Sequence, residues 1–474
     1  MSAYVPVRGY ADMAFFKEAG DFLWGGPLLA AFLAVGLWYS FATGFFPVFG
    51  VGVWWKATAG SLFGRKKGRQ KDRGVTQLQA LSTALAATVG TGSIAGVATA
   101  IVYGGPGAVF WMWMSALLGM AVSCGEKTLA VRHREKGSDG RWKGGPMEYM
   151  KNGLHLPGLG KLFALFCIAE TLAGGNLAQA NSIAASLSAA GGASPKVVGV
   201  VLAAITAIVL AGGIKRIGGL CELLVPAMAF LFVGAGLVVI AVHWQAVPAA
   251  FQQIVGYAFA PRAVAGGYAM GTALRYGVAR GVFTNEAGVG MSAIAHACAD
   301  VDEPAEQGMW GIFEVFFATI VICTVTALVI LTSGVYDPAA ALAMAEAGAL
   351  PEGMLGAPLT AAGFASVFGE AGEWIVAVCL ILFAFTSLIG SGYYGQRGVE
   401  TLTGSRWARG LYHLVFPACI IFGALGDVTA VWQLVDVFNG LLLAVNLPAL
   451  LLLSPEAVHL LRVWLEGRKK SRQS

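Results

Sequence analysis

Runs of about twenty apolar residues recur from one end of this chain to the other, and each is long enough to cross a bilayer. The first is Phe22 to Phe41. A cleaved signal peptide would have a basic start, yet Asp12, Glu18 and Asp21 outnumber Arg8 and Lys17 here. About ten more runs follow, near 76–102, 106–130, 161–190, 197–213, 218–242, 264–298, 308–333, 371–396, 410–426 and 430–453. Charged residues make up 12% of the 474 residues and hydrophobic residues 57%, whereas soluble domains carry about 25% charge. A soluble protein of this length could not hide so much apolar surface. The expected fold class is all-α integral membrane, with about 11 transmembrane helices. The 65 glycines suit helices whose backbones approach closely in lipid.

Charge orders these spans. After the first come Arg65, Lys66, Lys67, Arg69, Lys71 and Arg73, which the positive-inside rule places in the cytoplasm, with the N-terminus outside. Alternation then puts Arg132, Arg134, Lys136, Arg141 and Lys143 inside, followed by Lys215 and Arg216, by Arg397, Arg406 and Arg409, and by Arg462, Arg468, Lys469, Lys470 and Arg472 of a cytoplasmic tail. Outer loops hold little beyond Lys196 and Arg262. The acidic loop 299–307 lies inside without conflict, because acidic residues weigh little in the rule. Residues 45–55 read as interfacial, 144–154 as a short surface helix on the cytoplasmic side, and 335–370 as a long outer connection whose stretch Leu359 to Phe368 could act as a lid. The net charge of +5 falls in short runs between apolar segments and excludes nucleic acid as a partner. The seven cysteines have no metal-ligand or redox spacing and read as small core residues.

Two spans are interrupted. The first reads Ala-Ala-Thr-Val-Gly-Thr-Gly-Ser-Ile-Ala-Gly over 86–96, with Gly, Thr and Ser crowded at its middle. The second reads Arg-Gly-Val-Phe-Thr-Asn-Glu-Ala-Gly-Val-Gly over 280–290. Glycine disfavours continuous helix, and unwound backbone survives in a bilayer only where it lines a cavity or is buried in protein. Such breaks offer positive half-helix ends to an anion and free carbonyls to Na⁺. Close helix packing is the alternative reading of either break alone. Two breaks five spans apart fit a pair of inverted repeats. Glu126, Glu170, Glu222, Arg275, Arg280, Glu286, Glu314 and Asp436 lie within or at the ends of spans and need partners or water. Glu286, inside the second break, is the coupling candidate: it could bond helix ends, bind an ammonium or carry a proton.

At these residues the chain resembles the alanine/glycine:cation symporter family. The matching motifs are Ala84–Ala98, Gly104–Trp111, Gly144–Tyr149 (Gly-Gly-Pro-Met-Glu-Tyr), Phe283–Gly288 (Phe-Thr-Asn-Glu-Ala-Gly), Phe383–Ser387 and Tyr393–Gly395. They run in family order over about residues 20–455. The resemblance implies the leucine-transporter fold of 5+5 inverted repeats plus one extra N-terminal helix. The divisions would be 1–75 for the N-terminal helix and basic linker, 76–242 and 243–453 for the repeats, and 454–474 for the basic cytoplasmic tail. It implies a secondary active symporter in a bacterial plasma (inner) membrane, importing small neutral amino acids of the alanine/glycine type on a Na⁺ gradient, without an enzyme activity or an organic cofactor.

Carried over by position, the substrate site falls on Thr91, Gly92 and Ser93 in the first break, on Phe283, Asn285 and Gly288 in the second, and on Gln179. Asn176, Gln179 and Ser182 share a helical face at i, i+3, i+6 spacing. The Na⁺ site falls on the carbonyls of Ala86, Val89 and Phe383 with the hydroxyls of Thr386 and Ser387, a neutral oxygen shell suited to a hard cation. Those hydroxyls could instead bond back to their own helix. The chain departs from the family pattern at Ser93, Ser391 and Gln396. Ser391 stands where a tryptophan is common, which adds it to the substrate-site residues and leaves a larger neutral amino acid such as glutamine or serine as the alternative substrate. H⁺ is the alternative coupling ion. A membrane-embedded enzyme is the rival class, but no His/Glu metal spacing, Ser/His pairing at membrane depth or phosphate loop supports it.

Overall fold

The computed structural model describes residues 10–62, 74–137, 140–260, 270–346, 356–426 and 428–473. Nearly all of these are helical. The basic run 64–73, Arg262 and part of the outer connection lie outside the described residues. Among the described residues, eight helices are long and apolar enough to cross a membrane: Glu18–Ala42, Gly107–Arg132, Pro157–Ser188, Gly213–Val242, Pro304–Thr332, Glu370–Thr403, Arg406–Leu425 and Val431–Leu452. The expected span near 197–213 is the shorter apolar helix Pro195–Ala211. The remaining two expected spans are the broken ones.

The first broken helix starts at a capping box. Thr76 Oγ1 accepts from the Gln79 amide at 3.0 Å, and Gln79 Oε1 accepts from the Thr76 amide at 3.1 Å. Helix Gln77–Thr88 then stops, a 3₁₀ turn covers Thr91–Ser93, and a second half resumes over Ala95–Gly104. The second broken helix runs over Met270–Asn285, unwinds, and resumes over Met291–His296. Its break holds Glu286, Gly288 and Gly290 at φ of 51°, 80° and 98°. The glycines tolerate this conformation, whereas for the glutamate it is uncommon and strained.

Two further spans contain π-helical segments that the sequence periodicity does not reveal, Ala173–Ala178 and Phe316–Cys323. Such widened turns rotate everything beyond them and recur at functional sites. Around the breaks, Gly107–Arg132 packs on Pro304–Val315 and Met270–Asn285, and Glu370–Thr403 packs on Pro157–Leu172 and Gln77–Thr88. Small residues make these contacts possible: a Cβ added at Gly311 would lie 2.8 Å from the Ser123 carbonyl oxygen.

One expectation is corrected. The segment 144–154 does form a helix, Pro146–Asn152, but Met147, Tyr149 and Met150 are fully buried rather than on the surface. Gly145 and the apolar side chains pull it between neighbouring helices. The expected tail segment contains a further helix. Ser454–Gln473 is a helix packed on Gly107–Arg132 and Pro304–Val315, with Glu456 bonded to Arg132 and His133 at 3.1 and 2.9 Å.

One end of the bundle is tied by Val75 pairing with Ala299 and by Arg134 donating to the carbonyls of Ala297, Ala299 and Val301. These bonds join the outer limits of the two broken helices. At the opposite end, the helix Ala357–Phe368 lies on Ala95–Gly104, and Thr360 donates to the Ile94 carbonyl at 3.2 Å.

Candidate functional site

The two breaks touch. A Cβ added at Gly92 would meet the ring of Phe283 at 2.8 Å, so the ring of one break lies against the bare backbone of the other. Beside this contact is a small pocket. The first broken helix contributes Ala87, Thr88, Gly90 and Gly92 to its wall, and the second contributes Phe283, Glu286 and Met291. The helix Pro157–Ser188 adds Glu170, Gly174, Gly175 and Gln179, the long helix Glu370–Thr403 adds Ser387 and Ser391, and Asn439 completes the lining.

The structure thus brings Gly92, Gln179, Phe283, Glu286, Ser387 and Ser391 around one pocket. Other expected residues lie beside it. Thr91 and Ser93 are buried with unpartnered hydroxyl oxygens, and the Ser93 carbonyl accepts from Thr326 at 2.9 Å. Asn285 turns to the π-helical segment, donating to Thr319 at 3.3 Å, while its Oδ1 accepts the Ala287 amide at 3.0 Å. Gly288 packs on Leu443 and Leu447, and its carbonyl accepts from Asn446 at 2.8 Å.

The expected face of Asn176, Gln179 and Ser182 does not exist. Asn176 donates to the Phe416 carbonyl at 2.7 Å, and Ser182 bonds back to Ala178. The cause is the π-helical segment, which inserts extra arc ahead of Gln179. It aligns Gly174 with Gln179 at i, i+5 instead, and Gln179 Nε2 donates to the Gly174 carbonyl at 3.1 Å. Glu170 and Asn439 were missed as pocket residues. Their signal was a polar side chain in an apolar span, and only Glu170 was noted for it.

The residues of the expected Na⁺ site sit where the end of Gln77–Thr88 meets the middle of Glu370–Thr403. Ser387 Oγ donates across to the Ala86 carbonyl at 2.7 Å, and Thr386 Oγ1 bonds back to the Phe383 carbonyl at 3.0 Å. One carbonyl–hydroxyl pair therefore crosses this junction, while the Thr386 hydroxyl also lies 3.8 Å from Met228 Sδ. A hydroxyl can rotate to present a lone pair to a cation.

Phe283 is covered by Trp432, with ring centroids 5.8 Å apart, and by the guanidinium of Arg280, also 5.8 Å away. Arg280 is held by Asp436 at 3.2 Å. Arg275 pairs with Asp21, and Glu222 accepts from Gln79 at 3.0 Å.

Two broken helices facing a central pocket in an all-helical bundle define a secondary transporter of the leucine-transporter fold. In agreement, a crystal structure of the Eremococcus coleocola manganese transporter, 16% identical, aligns over 80% of this chain and 81% of its own with a TM-score of 0.51. Residues 10–474 match the Sodium:alanine symporter family. Sodium/alanine symporter AgcS of Methanococcus maripaludis is 38% identical over 96% of this chain and 97% of its own length. The probable sodium/glutamine symporter GlnT of Bacillus subtilis is 36% identical over 95% of this chain and 90% of its own. The chain belongs to the sodium:alanine symporter family, a family of Na⁺-coupled transporters and not of enzymes.

Proposed function

We propose that this protein imports a neutral amino acid together with Na⁺ through the pocket between its two helix breaks. The contact of Gly92 with Phe283, which joins the breaks at one cavity, carries this reading. The substrate carboxylate lies toward the N-terminal end of Ala95–Gly104, where the helix dipole is positive. Gln179, with an unpartnered buried Oε1, supplies a polar side-chain contact. Na⁺ sits among the carbonyls of Ala86, Val89 and Phe383 and the hydroxyls of Thr386 and Ser387, joining the first broken helix to its neighbour.

The substrates are alanine and at least one larger neutral amino acid. Ser391 supports this, because it lines the pocket with a small side chain, although Gly175 packs directly against it. The relative GlnT, described as a probable sodium/glutamine symporter, makes glutamine the first to test. The N-terminus lies outside and the C-terminus in the cytoplasm of a bacterial plasma membrane. The gathering of Arg132, Lys143 and Arg409 with Glu456 and Glu400 at one end of the bundle supports that direction.

Uptake of a labelled amino-acid panel into proteoliposomes, under an imposed Na⁺ gradient or an imposed pH gradient, tests the proposal. Alanine and glutamine uptake should follow the Na⁺ gradient. Uptake driven by the pH gradient alone would replace Na⁺ with H⁺, and exclusion of everything larger than alanine would remove the wide pocket.

A further inference from the structure

The pocket contains two acids that have no ion-pair partner among the described residues. Glu170 and Glu286 both line it, both are more than nine-tenths buried, and each has an Oε2 atom without a hydrogen-bond partner. Among the described residues neither carboxylate has an ion-pair partner. The nearby cations are committed elsewhere: Lys127 lies 2.8 Å from Glu126 and 3.5 Å from Glu314, and Arg280 is paired with Asp436.

The surroundings are built to hold these oxygens in place. Asn439 Nδ2 donates to Glu170 Oε1 at 3.2 Å and to the Val435 carbonyl at 3.2 Å, which fixes one carboxylate oxygen and leaves the other free. Gly174 is bare where any side chain would strike Glu170 Oε1. Gln179 spends its amide nitrogen on the Gly174 carbonyl and leaves Oε1 unpartnered. Three acceptor oxygens with no donor therefore border one pocket. Two carboxylates in low dielectric cannot both remain ionised and unpaired.

We propose that Glu170 and Glu286, with the Gln179 amide oxygen, form a subsite for a monovalent cation within the pocket, separate from the carbonyl–hydroxyl Na⁺ site at Thr386 and Ser387. The inference rests on the reading of this pocket as the transport site. Two sources share the required chemistry: the ammonium of the amino-acid substrate and a second Na⁺. Both match hard, anionic oxygen donors.

The test is equilibrium binding of ²²Na⁺ and of radiolabelled L-alanine to the purified full-length protein, with Glu170→Gln and Glu286→Gln as variants. Glu170→Gln is nearly isosteric and retains an oxygen for Asn439, so it guards against misfolding at the strained Glu286; size-exclusion profiles verify both. If the occupant is the ammonium, each variant weakens alanine about tenfold or more while bound ²²Na⁺ per protein is unchanged. If it is a second Na⁺, each variant loses one equivalent of bound ²²Na⁺. Gly92→Val, which drives a side chain into Phe283, is the control for the pocket itself. Unchanged alanine affinity and unchanged ²²Na⁺ stoichiometry in both glutamate variants, with binding lost in Gly92→Val, overturns the subsite alone. Unchanged binding in Gly92→Val as well overturns the pocket reading beneath it.

Discussion

Two sets of buried carboxylates in this bundle are treated in opposite ways. Glu126 and Glu314 are fully buried and share Lys127, and Glu314 also lies 3.2 Å from His296, itself bonded to Gln307 at 2.7 Å. Glu170 and Glu286 are almost as deeply buried, yet have no cation. The first set is attached to the second break from behind: Asn446 donates to Glu126 and to the Gly288 carbonyl, both at 2.8 Å, and accepts from the Tyr149 hydroxyl. Each of its carboxylates has a partner, Lys127 for both and His296 for Glu314, apart from an unbonded Glu314 Oε1. Unpaired charge is costly at membrane depth, so a compensated cluster reads as scaffold and an uncompensated one as a place prepared for a ligand. The break at 286–290 is held on one side by the scaffold and borders the pocket on the other through Glu286.

The largest effect belongs to the scaffold. Lys127→Met leaves Glu126 and Glu314 facing each other without a counter-charge, and should cost about 3–5 kcal/mol of stability. Thermal unfolding in detergent measures this, and the same scan on Glu170→Gln should show little loss. Equal losses in the two variants would erase the distinction between the clusters. Gly92→Ala comes next. Its new Cβ meets the Phe283 ring at 2.8 Å, which should remove about 1–3 kcal/mol of substrate affinity by overpacking. Titration with labelled alanine would read it, and wild-type affinity would mean that the two breaks do not meet around the substrate.

Ser391→Trp should exclude glutamine by about tenfold or more while alanine uptake persists, because a steric wall rejects by size. Competition assays on both forms show whether the wall stands where the substrate side chain points. The smallest change is expected for Gln179→Ala, about 1 kcal/mol of affinity for one lost hydrogen bond. Binding indistinguishable from wild type would leave Gln179 with its bond to the Gly174 carbonyl as its whole role.

The bundle and both breaks were legible because their signals are local: apolar runs of bilayer length, and Gly-Thr-Gly-Ser and Asn-Glu-Ala-Gly sequences within them. The pocket was legible only in part. Gly92, Phe283, Gln179, Glu286, Ser387 and Ser391 are all expected from the sequence and border it. Asn285 and Gly288 sit in the same break but turn toward Thr319 and Asn446, since a direction of pointing depends on φ values that the residue types only loosely restrict. The face containing Asn176 failed because a π-helical segment depends on tertiary packing and leaves no mark in helical periodicity. Glu170 carries in the sequence only the signal of a charge in an apolar span, and Asn439 lies about 270 residues away from it in sequence. Lys127 escaped notice because it adjoins Glu126 on an apolar helix, and its second partner, Glu314, comes from another span.

The central claim is that amino acid and Na⁺ meet at the two breaks, and linkage between them tests it most directly. Labelled alanine binding should be measured across a range of Na⁺ concentrations in wild type and in the Thr386→Ala/Ser387→Ala variant. Reciprocity requires each ligand to raise the affinity of the other if their sites are coupled. The account predicts that alanine affinity rises with Na⁺ in wild type and becomes indifferent to Na⁺ in the double variant. An unchanged Na⁺ dependence in that variant would contradict it.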